Sequence, residues 1–456
     1  MKTILNTIFT VDNPQDDSPE QTHIRTQSTT INTEDDPEFT NREILQVLRE
    51  LPQRKAPGPD GIDYRIIKLV IRTNINIFNT LFNRLLQAGS FPKCFKVGQV
   101  VLFLKKNKDP KQPESYRPIC LLSALGKVFE KLLIARLRHH LLISEYLSPI
   151  QYGFTPGKST LHALKAVRDQ IIDNRSTGYH TAFVSIDLKS AFDTLWWPAI
   201  LQALREAKCP KNIYQTIQHY LSNRHLVMPY NSGFVEKEQT QGCPQGSCAG
   251  PFLWNVTYNR VLAQTWPEHT RVIAYADDTA LVVRGHTRDE LQNNAIESCT
   301  LLQRRCTVLK LKIAESKSQI LLIPKKGGSL ARQPRITING QRLKITKELR
   351  YLGITFDSKL NWIPHVMELR KKTMHMAPQL KFMRGHQWGL NPYIQKTLYK
   401  TVTEKIVTYG AAIWSAPMQA RSDAGPQNKG GRGAILINHN GKGTVPTSSV
   451  AYRLSY

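Results

Sequence analysis

Apolar positions change their period several times along the chain, and each change marks an element. Residues 12–38 hold hardly an apolar cluster; Asp, Glu, Ser, Thr, Pro and Gln dominate, a composition that cannot offset the entropy cost of ordering. Residues 1–39 are therefore predicted to be an acidic lead without order. Helical periodicity begins at Thr40, where Thr40 and Glu43 stand at capping-box spacing ahead of Ile44, Leu45, Val47, Leu48 and Leu51. KAPGPDG at 55–61 ends that helix, and a long amphipathic helix is predicted over 64–88, closed by Gly89 and Pro92. VGQVVLFL at 97–104 is short, β-branched and followed by Lys105, Lys106 and Lys108, which predicts a strand leading to a basic turn. Three-to-four spacing returns over 125–142 through Val128, Phe129, Leu132, Leu133 and Leu137, and another helix is predicted over 161–173.

The run 180–186 predicts a strand that ends on Asp187, followed by a helix carrying Trp196 and Trp197. Three hairpins come next: 225–230 with 234–239 around Asn231-Ser232-Gly233, 271–276 with 279–284 joined by Asp277-Asp278, and 336–338 with 341–345 around Asn339-Gly340. A further strand is predicted over 349–356, and 364–405 reads as helices with eight Lys/Arg against two Glu. From about 418 to 456 the pattern decays into Gly, Ser, Asn and Lys, which predicts a disordered tail. Helices and antiparallel hairpins are interspersed, so the fold class is α+β and not the regular alternation of a doubly wound sheet.

Size and charge narrow the class. The chain has 456 residues, enough to bury a real core without disulfides or metal. Lys and Arg outnumber Asp and Glu 62 to 35, a net charge of +27 that signals a polyanionic partner, most often nucleic acid. Seven cysteines in no zinc-ligand spacing are read as reduced and packed. No stretch approaches the ~20 apolar residues of a membrane span, and residues 1–12 lack a secretory pattern. The sequence thus predicts a soluble protein of the nucleus or cytoplasm, with no membrane partner.

Tyr275-Ala276-Asp277-Asp278, flanked by apolar β-type runs, concentrates negative charge at one point. A hard divalent cation such as Mg²⁺ would relieve it; a solvated turn is the plainer alternative. Asp187 adds a second acid at a strand end, where sheet proteins place sites. If the two regions lie side by side, they could hold two ions roughly 4 Å apart, as in in-line phosphoryl transfer. Asp193 is read as a capping or salt-bridging residue. Gly157-Lys158-Ser159-Thr160 resembles a P-loop ending, but Gly153 is one residue too close for that motif and no strand precedes it.

Seven blocks occur in one order: KAPGPDGI at 55–62, SYRPICLL at 115–122, QYGFTPGKST at 151–160, FVSIDLKSAFDTL at 183–195, QGCPQGSCAGPFLWN at 241–255, YADDTALV at 275–282 and ELRYLGITFD at 348–357. Together they resemble the reverse transcriptase of non-LTR (LINE-type) retrotransposons, especially the Jockey-like elements of arthropods, over roughly residues 40–415. The resemblance implies a right-hand polymerase whose antiparallel palm sheet packs on helices, with fingers over 40–179, a palm over 180–357 and a basic helical thumb over 358–417. It implies that Asp187, Asp277 and Asp278 bind two catalytic Mg²⁺ ions, with Mn²⁺ as an alternative. Phe192 matches the aromatic residue under the incoming sugar that favours dNTPs; plain core packing is its other role. Gln245 and Gly246 match the loop that meets the nucleotide and template base, and Lys105 or Lys106 with Arg117 the basic pair on the triphosphate. Lys317 matches the lysine that serves pyrophosphate as a general acid, and Leu352 and Gly353 fall in the primer grip. Lys158 is read as a backbone-phosphate contact.

RNA template, DNA primer and dNTPs are the implied partners. Complete elements of this kind carry an endonuclease before the polymerase and often a Cys/His knuckle after it. Neither is read in this sequence, which suggests a truncated copy. Two alternatives accompany the polymerase: an inactive nucleic-acid-binding remnant, and a group II intron-type maturase.

Overall fold

The computed structural model describes residues 2–27, 31–106, 108–230, 233–330, 332–382 and 389–415, together with 436–437 and 443–444. The acidic lead is not without order. It forms helices α1 (Lys2–Ile8) and α2 (Pro19–Gln27), and residues 31–40 carry no regular element before Thr40 caps the next helix. Its few apolar residues are spent well: Leu5 and Phe9 are buried against Val100, Cys120, Leu226 and Met228. Its charges find partners far away in sequence. Asp12 pairs with Arg25 and Lys310, Asp17 with the same two cations, and Arg136 binds Asp36 and Glu43. Local composition missed this because both the apolar surface and the counter-charges come from the rest of the fold.

Helix α3 (Asn41–Glu50) starts at the predicted capping box: Thr40 N donates to Glu43 Oε2 at 2.8 Å and Glu43 N to Thr40 Oγ1 at 3.3 Å. The long helix predicted over 64–88 is two, α4 (Tyr64–Thr73) and α5 (Ile75–Gln87), broken at Asn74 with φ −123° and ψ 43°. The Asn74 amide turns back to the Val70 carbonyl at 3.2 Å, offering the backbone a local alternative to the helix. Strands β1 (Val97–Leu104) and β2 (Tyr116–Leu121) form an antiparallel ribbon, followed by α6 (Ala124–Ile143) and α7 (Thr160–Ser176).

Next come β3 (His180–Ile186), α8 (Trp197–Glu206), α9 (Lys211–Leu221), the hairpin of β4 (Arg224–Tyr230) and β5 (Gly233–Gln239), and α10 (Gly250–Leu262). A second hairpin, β6 (Thr270–Tyr275) and β7 (Asp278–Gly285), leads to α11 (Arg288–Val308) and β8 (Gln319–Ile323). The third predicted hairpin splits. β9 (Thr337–Ile338) and β10 (Gln341–Arg342) pair around Asn339-Gly340, whereas β11 (Lys344–Thr346) leaves to run parallel with β8. The single strand predicted over 349–356 is itself a hairpin, β12 (Glu348–Tyr351) and β13 (Ile354–Asp357). Its turn residues Leu352 and Gly353 both have positive φ, 44° and 83°, as a tight two-residue turn requires. Helices α12 (Ile363–Phe382), α13 (Pro392–Leu398), α14 (Glu404–Thr408) and α15 (Ala411–Trp414) complete the described chain. The predicted disordered tail lies outside the described residues, apart from Leu436–Ile437 and Gly443–Thr444, which pair with one another.

Two sheets result. One has the order β2-β1-β4-β5, with β1 and β4 parallel; α1 covers one face of it. The other is central, with the order β11-β8-β3-β7-β6, antiparallel except at the β11 edge. Alternate residues of its strands enter two cores. Ala182, Val184, Leu281 and Val283 pack with α8, α10 and α11, while Phe183, Ala280, Val282 and Leu321 pack with α7, the β12–β13 hairpin and Trp414. Covered on both faces, β3 is buried along nearly its whole length until Asp187. Among the described residues no helix is long and apolar enough to cross a membrane.

Candidate active site

Two independent pairings bring the acids to one end of the central sheet. In the β3–β7 pairing Ile186 stands opposite Thr279, so the chain one residue further sets Asp187 beside Asp278. In the β6–β7 pairing Tyr275 stands opposite Asp278, which makes Ala276 and Asp277 the turn. The predicted turn, Asp277-Asp278, is therefore displaced by one residue, and Asp278 opens β7 instead. The first turn residue must take positive φ, and Ala276 does so at 57°, a conformation that costs an L-residue roughly 1–2 kcal/mol.

The carboxylates push on one another. Burial and then the Asp187 charge raise the Asp277 pKa. Asp278 is exposed as a residue, yet crowding of its carboxylate by protein, followed by the charges of Asp277 and Asp187, lifts it to about 6. Among the described residues no Lys or Arg reaches salt-bridge distance of any of the three. No three acids, histidines or cysteines among them form a ready ligand set for one ion. Donor type and uncompensated charge nonetheless suit a hard divalent cation, which takes carboxylate and phosphate oxygens.

The strand end is held from one further side. Asp187 N donates to Ser318 Oγ at 3.2 Å, its carbonyl accepts from Ala314 N at 2.7 Å, and Leu188 bridges to Ile313. These bonds place the 313–318 loop, with its exposed Lys317, against the end of β3.

Phe192 is half-buried, with Phe154 edge-on at 5.9 Å and Trp254 at 5.2 Å between ring centroids. Its carbonyl accepts from Cys243 N at 2.9 Å, which ties it to the 241–248 loop. Within that loop Gln245 Nε2 donates to Asp193 Oδ1 at 2.9 Å. Among the described residues Asp193 caps no helix and forms no salt bridge; it fixes Gln245, and burial lifts its pKa to about 6 while Gln245 and the Lys105 charge oppose the shift. The loop is also sewn to β2: Cys120 N donates to Gln245 O at 2.6 Å, and a Cβ on Gly246, at φ 131°, would lie 2.3 Å from Cys120 O. Glu130 of α6, fully buried, accepts from Ser247 Oγ at 2.9 Å and Cys248 N at 2.8 Å. Nothing in the sequence pattern around Glu130 marked it as a loop anchor, since helix spacing alone shows a polar residue on an apolar face.

Arg117 is exposed on β2 opposite Phe103. Arg117, Lys317 and the Leu352-Gly353 turn make no hydrogen bond or ion pair with the three acids among the described residues. The turn is pinned by Tyr409, whose hydroxyl donates to Leu352 O at 2.9 Å and accepts from the Thr160 hydroxyl at 3.1 Å. The Lys158 ammonium donates to the carbonyls of Pro149 and Gln151 and lies over the Tyr152 ring.

Acids delivered by a hairpin turn and a neighbouring strand end, on an antiparallel sheet backed by helices, point to the polymerase class. Comparison with known proteins is specific. Residues 104–356 match the family described as reverse transcriptase (RNA-dependent DNA polymerase), and the chain belongs to that family. It is 32% identical over 374 residues to a putative 115 kDa protein in the type-1 retrotransposable element R1DM of Drosophila melanogaster, covering 82% of this chain and 36% of that protein. To the Pol polyprotein of the type-1 element R1 of Bradysia coprophila it is 32% identical over 383 residues, 83% of this chain and 37% of the relative. The RNA-directed DNA polymerase of the Drosophila melanogaster mobile element jockey is 26% identical over 82% of this chain and 41% of its own length. The resemblance to non-LTR retrotransposon reverse transcriptases is thereby borne out, and the chain spans about two fifths of the relatives it matches.

Proposed function

We propose that this chain is an RNA-directed DNA polymerase that adds dNTPs to a DNA primer on an RNA template. The observation that carries this is the acid cluster at the end of β3, β6 and β7, where burial and neighbouring acid charge raise the Asp277 and Asp278 pKa and, among the described residues, no Lys or Arg forms a salt bridge with them. The central sheet and its helices are the palm over 180–357, the region of 40–179 the fingers, and the basic helices over 358–417 the thumb.

Asp187, Asp277 and Asp278 would hold two Mg²⁺ ions, or Mn²⁺ in their place, which when bound make the primer 3′-hydroxyl a better nucleophile and offset charge on the departing pyrophosphate. The chain's own groups do the rest. Arg117 and Lys105, at the end of the β1–β2 ribbon where the 105–115 segment joins the two strands, grip the triphosphate; a guanidinium matches phosphate oxygens in pairs. Phe192 forms the floor under the sugar. Gln245, fixed by Asp193, and Gly246, pressed onto β2, offer backbone and amide to the nucleotide and template base. Lys317 stands on the loop bonded to Asp187 and Leu188 and supplies a proton to pyrophosphate. The Leu352-Gly353 turn positions the primer end.

The test is incorporation of dTTP on poly(rA)/oligo(dT) by purified protein with Mg²⁺, with Mn²⁺ and with chelator. Metal-dependent extension is expected. Folded protein that binds the duplex but extends no primer with either ion would leave the binding remnant as the better account.

A further inference from the structure

The block preceding α7 does more than link two elements. Gln151 forms a one-residue parallel bridge with Ala274 on the edge strand β6: Ala274 N donates to Ile150 O at 3.0 Å and Tyr152 N to Ala274 O at 2.7 Å. From there its side chain, 4% exposed, reaches the turn that carries Asp277. Gln151 Oε1 accepts from Ala276 N at 2.9 Å and from Gly153 N at 2.8 Å, and Nε2 donates to Ala276 O at 3.2 Å. One primary amide thus satisfies both polar groups of the left-handed residue. The neighbouring backbone is tightly fitted: a Cβ on Gly153 would lie 2.1 Å from Ala276 N, and the buried Asn255 holds Gly153 O at 2.8 Å.

We propose that Gln151 is a positioning residue of the polymerase site. It fixes the Ala276 turn and thereby the direction in which Asp277 and Asp278 leave the sheet; the claim rests on the polymerase reading for its consequence in catalysis. The chemistry selects the residue type. Glu has no donor for the Ala276 carbonyl, Asn is one methylene shorter, and Met fills the volume without either bond. An unbraced Ala at positive φ has every reason to relax toward ordinary backbone angles.

Gln151→Met and Gln151→Glu test this in the full chain by hydrogen exchange over peptides spanning 270–282 and by steady-state dTTP incorporation normalised to active sites. For Gln151→Met we expect exchange at the turn amides to quicken at least tenfold while β3 amides keep their protection, kcat to fall at least tenfold, and the KM for dTTP to stay within threefold. Adding Ala276→Gly, which removes the cost of the left-handed angle, should recover part of the lost kcat. Gln151→Glu, keeping the acceptor only, should fall between wild type and Gln151→Met in exchange. Unchanged exchange at the turn overturns the brace. Quickened exchange with undiminished kcat overturns the catalytic role. Wild-type protein that extends no primer removes the polymerase reading instead, and the exchange measurement still decides the brace.

Discussion

Asp277 and Asp278 are held where their charge is unwelcome, and that sets what their removal does. On the proposed polymerase reading, Asp277→Asn removes a metal ligand and one source of repulsion together. It should lower dTTP incorporation at least a hundredfold while Tm at pH 7.5 stays level or rises. Asp278, raised to about 6, carries a pH signature: an acid with a folded pKa above its unfolded value of about 3.9 opposes folding when ionised. The penalty is full above about pH 6 and is relieved as pH falls toward 4. Asp278→Asn should therefore raise Tm at pH 7.5 and leave it unchanged near pH 4, as thermal unfolding at the two pH values would show. Phe192 separates two roles through nucleotide choice. As the floor under the sugar, Phe192→Ala should lower the kcat/KM ratio of dNTP over rNTP at least tenfold; as core packing alone, beside Trp254 and Phe154, it would lower both and leave the ratio unchanged. The three acids were legible because each interrupts an apolar run. Gln151, Glu130 and Asp193 were not, since a polar side chain gains its meaning from the distant backbone it reaches.

At the scale of elements, strands with one clear period came through closely. The predicted strands at 97–104 and 180–186 coincide with β1 and β3. Errors fell where local chemistry competes with periodicity: Asn74 splits a helix, Leu352-Gly353 folds a strand in two, and Ala276 takes the turn position that Asp seemed suited to fill. The N-terminal lead erred through burial by a remote partner. Phe9, 3% exposed, covers the β1–β4 region together with Leu5. Phe9→Ala should cost about 3 kcal/mol, measured as a lower urea midpoint, whereas a lead without order predicts no change. Should α1 melt before the rest, the same substitution would speed exchange in β1 and β2 and leave β3 protected.

For the whole molecule the proposed function has the excess of 62 cationic over 35 anionic residues act on phosphates and not on base edges. Affinity for an RNA/DNA duplex should be largely independent of sequence and fall at least a hundredfold between 50 and 200 mM salt, as counterion release by several contacts requires. A flat dependence in a filter-binding or anisotropy titration would contradict this. The cationic lead-binding residues Arg25, Arg136 and Lys310 already pair with acids of residues 12–43, so part of the basic excess is spent internally.

By itself the sequence determined the α+β class, most element positions, the acids at the two strand ends and the family, because apolar period and ordered motif blocks are local properties of the chain. Only the tertiary structure decided which strand lies beside which, and with it that Asp187 stands against Asp278, that Gln151 closes on the Ala276 turn, and that the acidic lead is ordered. Each of these depends on a contact between residues far apart in sequence, up to 298 positions for Asp12 and Lys310. Such a contact leaves no period to read: its energy comes from burial and charge pairing that exist only once both partners are in place.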